Sequence, residues 1–169
     1  MSQKLKSQFP NLTPTNYHIT SPVDFDYNCI AWAADDPTRW WWPDVQNQKY
    51  WPSDVPREET LEAFILAYAT LGYVVCDSGN SEDGFDKIVI YCLNGDPTHA
   101  AKISENSNWS SKLGQGNDIS HKQNALNGPI YGTPETFMKR KRGNNLAVKD
   151  ELDSDTKVNP LTGKPKNKS

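Results

Sequence analysis

Asp26-Tyr27-Asn28-Cys29-Ile30-Ala31-Trp32-Ala33-Ala34 passes from a polar turn into an apolar, alanine-rich stretch with helical spacing, and its reading decides the fold. The pattern predicts a short helix with Cys29 in its first turn. Backbone N–H groups without intrahelical partners and the positive end of the helix dipole favour negative charge there. They favour the thiolate, the form of cysteine that attacks carbonyl carbon. Much later in the chain, Asp96-Pro97-Thr98-His99-Ala100-Ala101 sets a histidine at the start of an expected strand, after a turn. A cysteine opening a helix and a histidine opening a strand are the two parts that thiol-based nucleophilic catalysis needs.

Working outward, Asp35-Asp36-Pro37-Thr38 reads as a turn, followed by the indole cluster Trp40-Trp41-Trp42-Pro43 and Tyr50-Trp51-Pro52. A non-periodic, proline-punctuated stretch this rich in indoles predicts a long packed loop. Residues 56–71 read as a helix: Leu61, Phe64, Ile65, Tyr68 and Leu71 recur at helical spacing, Ser53 and Asp54 precede an early-turn proline, and Gly72 follows. Tyr73–Cys76 and Lys87–Leu93 read as strands, and Asn94-Gly95 is a hairpin signal leading into a third strand over Thr98–Ile103. Glu105–Asn108 is expected to turn into a strand at Trp109–Leu113. Asn117-Asp118 reads as the cap of a short helix over Ile119 to Leu126, and Thr136–Lys141 as an edge strand.

The 169 residues suit one globular domain with a tail. Residues 1–20, interrupted by prolines, are expected to form an extended N-terminal arm, residues 21–141 a single domain, and the charged, apolar-poor residues 142–169 a disordered tail. A net charge of −3 and a pI near 5.6 give no general basic field, so nucleic acid is not an expected partner. Three widely spaced cysteines make no disulfide framework, and no stretch reads as a secretory leader or a membrane span. A cytoplasmic setting is the expectation, with delivery by a specialised secretion machine or a phage particle compatible with the same features.

Each chemical reading has a plainer counterpart. Cys29 also suits a small buried hydrophobe, as Cys76 and Cys92 do within their apolar strands. His99 also suits a hydrogen-bonding strand-edge residue, although Ala100 and Ala101 beside it would let another element approach closely. His18 reads as solvated and His121 as a reserve base. An imidazole base needs a third group to fix its tautomer. Ser111, across an expected hairpin from His99, is the first choice, with Lys112, Asp118 and His121 as competing ones. With no Cys-x-x-Cys pair, neither a metal site nor any cofactor is expected. The indole cluster reads as structure or as the wall of a binding groove, and Lys139-Arg140-Lys141-Arg142 as a solvated strand end.

Tyr27-Asn28-Cys29-Ile30-Ala31-Trp32-Ala33, the Trp40–Pro43 cluster, Leu61-Glu62-Ala63-Phe64, Pro97-Thr98-His99-Ala100-Ala101 and Trp109-Ser110-Ser111-Lys112-Leu113-Gly114 resemble a family of small uncharacterised bacterial proteins over about residues 25–132. More remotely, the order of helix-opening cysteine, strand-opening histidine and polar residue on the next strand is similar to the NlpC-type and CHAP-type amidases of the papain-like superfamily. That resemblance implies an α+β fold of helices packed on an antiparallel sheet, in the papain-like (NlpC/CHAP-like) arrangement. It also implies a peptidase or amidase in which Cys29 is the nucleophile, His99 its base and Ser111 the orienting residue. A peptide, amide or protein would be the substrate. The alternative is a non-catalytic protein-binding module, toxin-, phage- or immunity-associated, meeting a protein partner through the Trp40–Trp51 loop.

Overall fold

The computed structural model describes residues 3–103, 108–113 and 116–142. Its elements in chain order are α1 (Gln3–Gln8), β1 (Tyr17–Ile19), α2 (Cys29–Ala33), α3 (Leu61–Ala69), β2 (Val74–Cys76), β3 (Phe85–Leu93), β4 (Asp96–Ile103), β5 (Trp109–Lys112), β6 (Asp118–His121) and β7 (Thr133–Lys141). The strands form one seven-stranded sheet in the order β1-β6-β5-β4-β3-β7-β2. Every pairing is antiparallel.

This corrects the expected fold class. The molecule is dominated by its sheet, with helices of only six, five and nine residues, and a papain-like arrangement of helices on a sheet is not what the chain adopts. Two of the helix expectations account for much of the difference. Of the helix expected over Ile119 to Leu126 with its cap at Asn117-Asp118, residues 118–121 are strand β6: Asp118 pairs with Lys112 and His121 with Trp109 across β5, while Tyr17–Ile19 pairs on the other side. Partners on both sides outweigh the weak local helix signal. The helix expected over 56–71 starts at Leu61, where Thr60 Oγ1 accepts the Ala63 N–H at 3.2 Å. The Pro56 segment is held elsewhere, because the Trp51 indole donates to the Pro56 carbonyl at 2.9 Å.

Other boundaries shift for similar reasons. The segment expected as an extended arm supplies α1 and the edge strand β1, with Phe9 and Leu12 buried. Strand β7 starts at Thr133 and lies between β3 and β2, so the edge belongs to β2. The expected turn over Glu105–Asn108 falls mostly outside the described residues, as does the expected tail beyond Arg142.

Both faces of the central sheet are covered, which explains why Lys87–Cys92 is buried without alternation. On one face Ile88, Ile90, Ala100 and Met138 pack against α2, α3 and the tryptophan loop. On the other, Val89, Tyr91, Ala101, Ile103 and Trp109 pack against Phe9, Leu12, Ala125 and Leu126. Each fully buried large apolar side chain contributes roughly 1.5–3 kcal/mol by leaving water. The β3–β4 hairpin turns through Asn94 (φ 53°) and Gly95 (φ 87°), two residues in the left-handed region as a tight primed turn requires.

Asn28 fastens the tryptophan loop to α2. Its Oδ1 caps the helix by accepting from Ala31 N and also accepts from Trp41 N, both at 3.1 Å, while its Nδ2 donates to the Trp41 carbonyl at 2.9 Å. Trp41 and Trp51 are buried, and Trp42 and Trp51 pack against the Phe64 ring. Among the described residues no helix is long and apolar enough to cross a membrane.

Candidate active site

Asn28 caps α2, so Cys29 occupies the first helical position. The helix lies against β4. Among the described residues, β4 pairs with β5 over Lys102–Ser110 and Ile103–Trp109. Beyond it, Ala100 packs in the same core as Cys29. The sequence predicts a stabilised thiolate; the structure shows the reverse. Cys29 is only 7 % exposed, and burial pushes its thiol up to about 11, with the opposing influence of the Ala100 and Ile30 N–H groups and of Lys112 too weak to compensate. Desolvation of the charged form outweighs what a five-residue helix supplies.

His99 follows on β4, immediately before Ala100, and is fully buried. Its ring stacks on Tyr131 with centroids 3.8 Å apart and planes 9° from parallel, and the Tyr91 ring meets it edge-on. Burial, with the neighbouring His121 adding to it, pushes His99 well below the ordinary imidazole range. Nε2 lies 2.9 Å from Ser111 Oγ. Nδ1 is without a hydrogen-bond partner among the described residues. Thiol and imidazole therefore approach β4 from its two sides and are not hydrogen-bonded to each other: Cys29 belongs to the core that contains Ala100, and the imidazole lies against Tyr91 of the other core.

The register distributes the candidates for the third group. The pleat places Ser111 on the imidazole's face and its neighbours Ser110 and Lys112 on the opposite one. Ser111 Oγ also lies 2.7 Å from His121 Nε2, and His121 Nδ1 lies 2.9 Å from the Lys122 carbonyl. Burial pushes His121 down to about 4. Ser110 instead accepts from the Trp32 indole at 3.1 Å. Lys112 is buried, with its ammonium 5.1 Å from the centroid of the Tyr27 ring and bonded to the Gly116 carbonyl. Asp118, across from Lys112, accepts the Tyr27 hydroxyl at 2.6 Å; burial first, and this carboxylate second, push Tyr27 up to about 12.

The sequence pattern assigns no site role to Tyr27, Tyr91 or Tyr131. Tyr27 was legible by its position beside the Asn-Cys pair, whereas nothing local marks Tyr131, which reaches His99 through a turn tied to β4 by Thr98 Oγ1 donating to the Tyr131 carbonyl at 2.5 Å. Among the described residues no group of three or more His, Cys, Asp or Glu is placed to hold a metal ion. One surface hollow is bounded by Glu82, Phe85, Lys87 and Arg142 and another by Asn11, Asn16, Lys122 and Asn124; neither includes Cys29 or His99.

Fold and site together define a small antiparallel-sheet domain with a helix-opening thiol packed beside a strand that carries a tethered imidazole. The chain belongs to the family described as a domain of unknown function (DUF7689), whose model matches residues 18–139. No curated protein and no solved structure matches it.

Proposed function

We propose that the domain is a thiol hydrolase acting on an amide, peptide or related acyl bond, with Cys29 as nucleophile and His99 as general base. The observation that carries this reading is the state of the imidazole. One nitrogen is held by Ser111, the other is unpartnered and buried, and the next residue along the strand, Ala100, packs in the same core as Cys29. With the thiol pushed up and the imidazole pushed down, the resting pair is neutral, so the chemistry is general-base catalysis rather than attack by a preformed thiolate. As sulfur bonds to the acyl carbon, His99 Nδ1 takes the thiol proton. It returns that proton to the departing amine as the tetrahedral intermediate collapses to a thioester, which water then hydrolyses. The transfer requires the two groups, which lie on the two sides of β4 in the free protein, to come together when substrate binds.

A second reading, a non-catalytic protein-binding module, is favoured by the burial of both side chains. Its surface would be the tryptophan loop, where Val45 is 90 % exposed and the Arg39 guanidinium lies 3.5 Å from the Tyr50 ring centroid. The test is intact-mass spectrometry of the full chain with a panel of activated aryl esters and anilides. The hydrolase reading expects an acyl adduct on Cys29, absent in Cys29→Ala and slowed in His99→Ala. No adduct, or one that forms equally fast in His99→Ala, overturns it and leaves the binding module.

A further inference from the structure

The hydrogen bonds around His99 have a direction, and it is set by a backbone carbonyl. The Lys122 carbonyl can only accept, so His121 Nδ1, 2.9 Å away, carries a proton and donates it. His121 is neutral at pH 7, because burial pushes it down to about 4, and its Nε2 is therefore a bare acceptor. Ser111 Oγ, 2.7 Å from that nitrogen, must give it the hydroxyl proton. The serine oxygen is then left to accept from His99 Nε2 at 2.9 Å, which places the single imidazole proton of His99 on Nε2 and leaves Nδ1 a lone pair. The chain crosses β4, β5 and β6 on one face, and its three side chains are all buried, so no competing solvent contact blurs it.

We propose that His121 is a positioning residue which, acting through Ser111, holds His99 in the Nε2–H tautomer and so leaves Nδ1 free to accept a proton. Its catalytic meaning rests on the Cys29–His99 reading above, whereas the tautomer itself does not. Without His121 the Ser111 hydroxyl loses its acceptor and is available to donate to His99 Nε2. Donation in that direction requires the other tautomer, with the proton on Nδ1, where it can no longer take one from a thiol.

The experiment is long-range 1H–15N correlation of the histidine side chains in the uniformly 15N-labelled full chain at neutral pH. Wild type is expected to show His99 protonated on Nε2 alone. His121→Leu is expected to give a mixture of tautomers or the Nδ1–H form, and His121→Gln to restore the wild-type pattern, since a glutamine carbonyl can accept from Ser111. Should His121→Leu fail to fold, Ser111→Ala provides the same readout. In the acylation assay His121→Leu is expected to be slower by about tenfold or more, with His121→Gln much nearer wild type. A His99 tautomer unchanged in both His121→Leu and Ser111→Ala overturns the relay, as does a wild-type His99 protonated on Nδ1. A fixed tautomer that relaxes in the variants supports the relay even where no acyl adduct forms, a result that counts against the hydrolase reading alone.

Discussion

Replacing Asn28 by Ala removes three hydrogen bonds at one point, the cap to Ala31 N and the two-way link to the Trp41 backbone. Loss of an N-cap alone costs about 1 kcal/mol. The Trp41 N–H and carbonyl would be left buried without their partner, at roughly 1–3 kcal/mol each. Allowing for shared relaxation, Asn28→Ala is expected to cost about 3–5 kcal/mol, a large part of the ~5–15 kcal/mol that holds a domain of this size. In melting temperature that is roughly 6–20 °C. Asn28→Asp keeps both accepted bonds and loses the 2.9 Å donation to the Trp41 carbonyl, so it should fall between wild type and Asn28→Ala. Thr60→Ala is the control, because it removes a single cap bond from an exposed residue and is expected to cost about 1 kcal/mol. Urea unfolding followed by tryptophan fluorescence, with the denaturant slope checked for constancy, measures all three. Equal costs for Asn28→Ala and Thr60→Ala would refute the idea that Asn28 fastens the tryptophan loop rather than merely capping a helix.

Gly132 (φ +76°) would place a Cβ 1.9 Å from the Cys92 carbonyl oxygen, whereas Gly72 (φ +96°) has open space around it. Gly132→Ala should therefore cost about 3 kcal/mol or more and Gly72→Ala about 1, and similar unfolding midpoints for the two would sink this account of the turn before β7. His121 titrates near 4 when folded against an ordinary 6.5, so between those values the unfolded chain holds a proton that the native state lacks. Stability is present above pH 6.5 and lost as the pH falls towards 4, by roughly 3 kcal/mol, with His99 acting in the same direction. Unfolding midpoints at pH 7, 5.5 and 4 test this, and His121→Gln should flatten the acid limb. Native alkylation with iodoacetamide is expected to reach the half-buried Cys76 first, with the Cys29 rate rising about tenfold per pH unit between 7 and 10. Peptide mapping that finds Cys29 labelled first at pH 7 would show that its thiol is neither sealed nor raised.

The features legible in the sequence are those whose cause is local. Asn94-Gly95 marks its turn because the two residues themselves favour positive φ, and the run from Lys87 to Leu93 reads as a strand because its β-branched and aromatic residues suit a buried sheet position. The placement of Cys29 at the opening of a helix follows from a polar turn meeting an apolar stretch, and Asn28 supplies the cap. Tertiary structure decided what depends on distant partners. Residues 118–121 carry a plausible helix start, yet pairing with Trp109–Lys112 on one side and Tyr17–Ile19 on the other makes them a strand. The thiol shows the same division. A helix N-terminus by itself argues for a lowered thiol, but the desolvation that pushes it up to about 11 arises where α2 packs against β4, far along the chain. The imidazole's tautomer is equally non-local, resting on a register across three strands and one carbonyl at Lys122. Propensity and capping act between neighbours in sequence, whereas burial, register and the direction of a buried hydrogen bond are set by every segment that closes around the site.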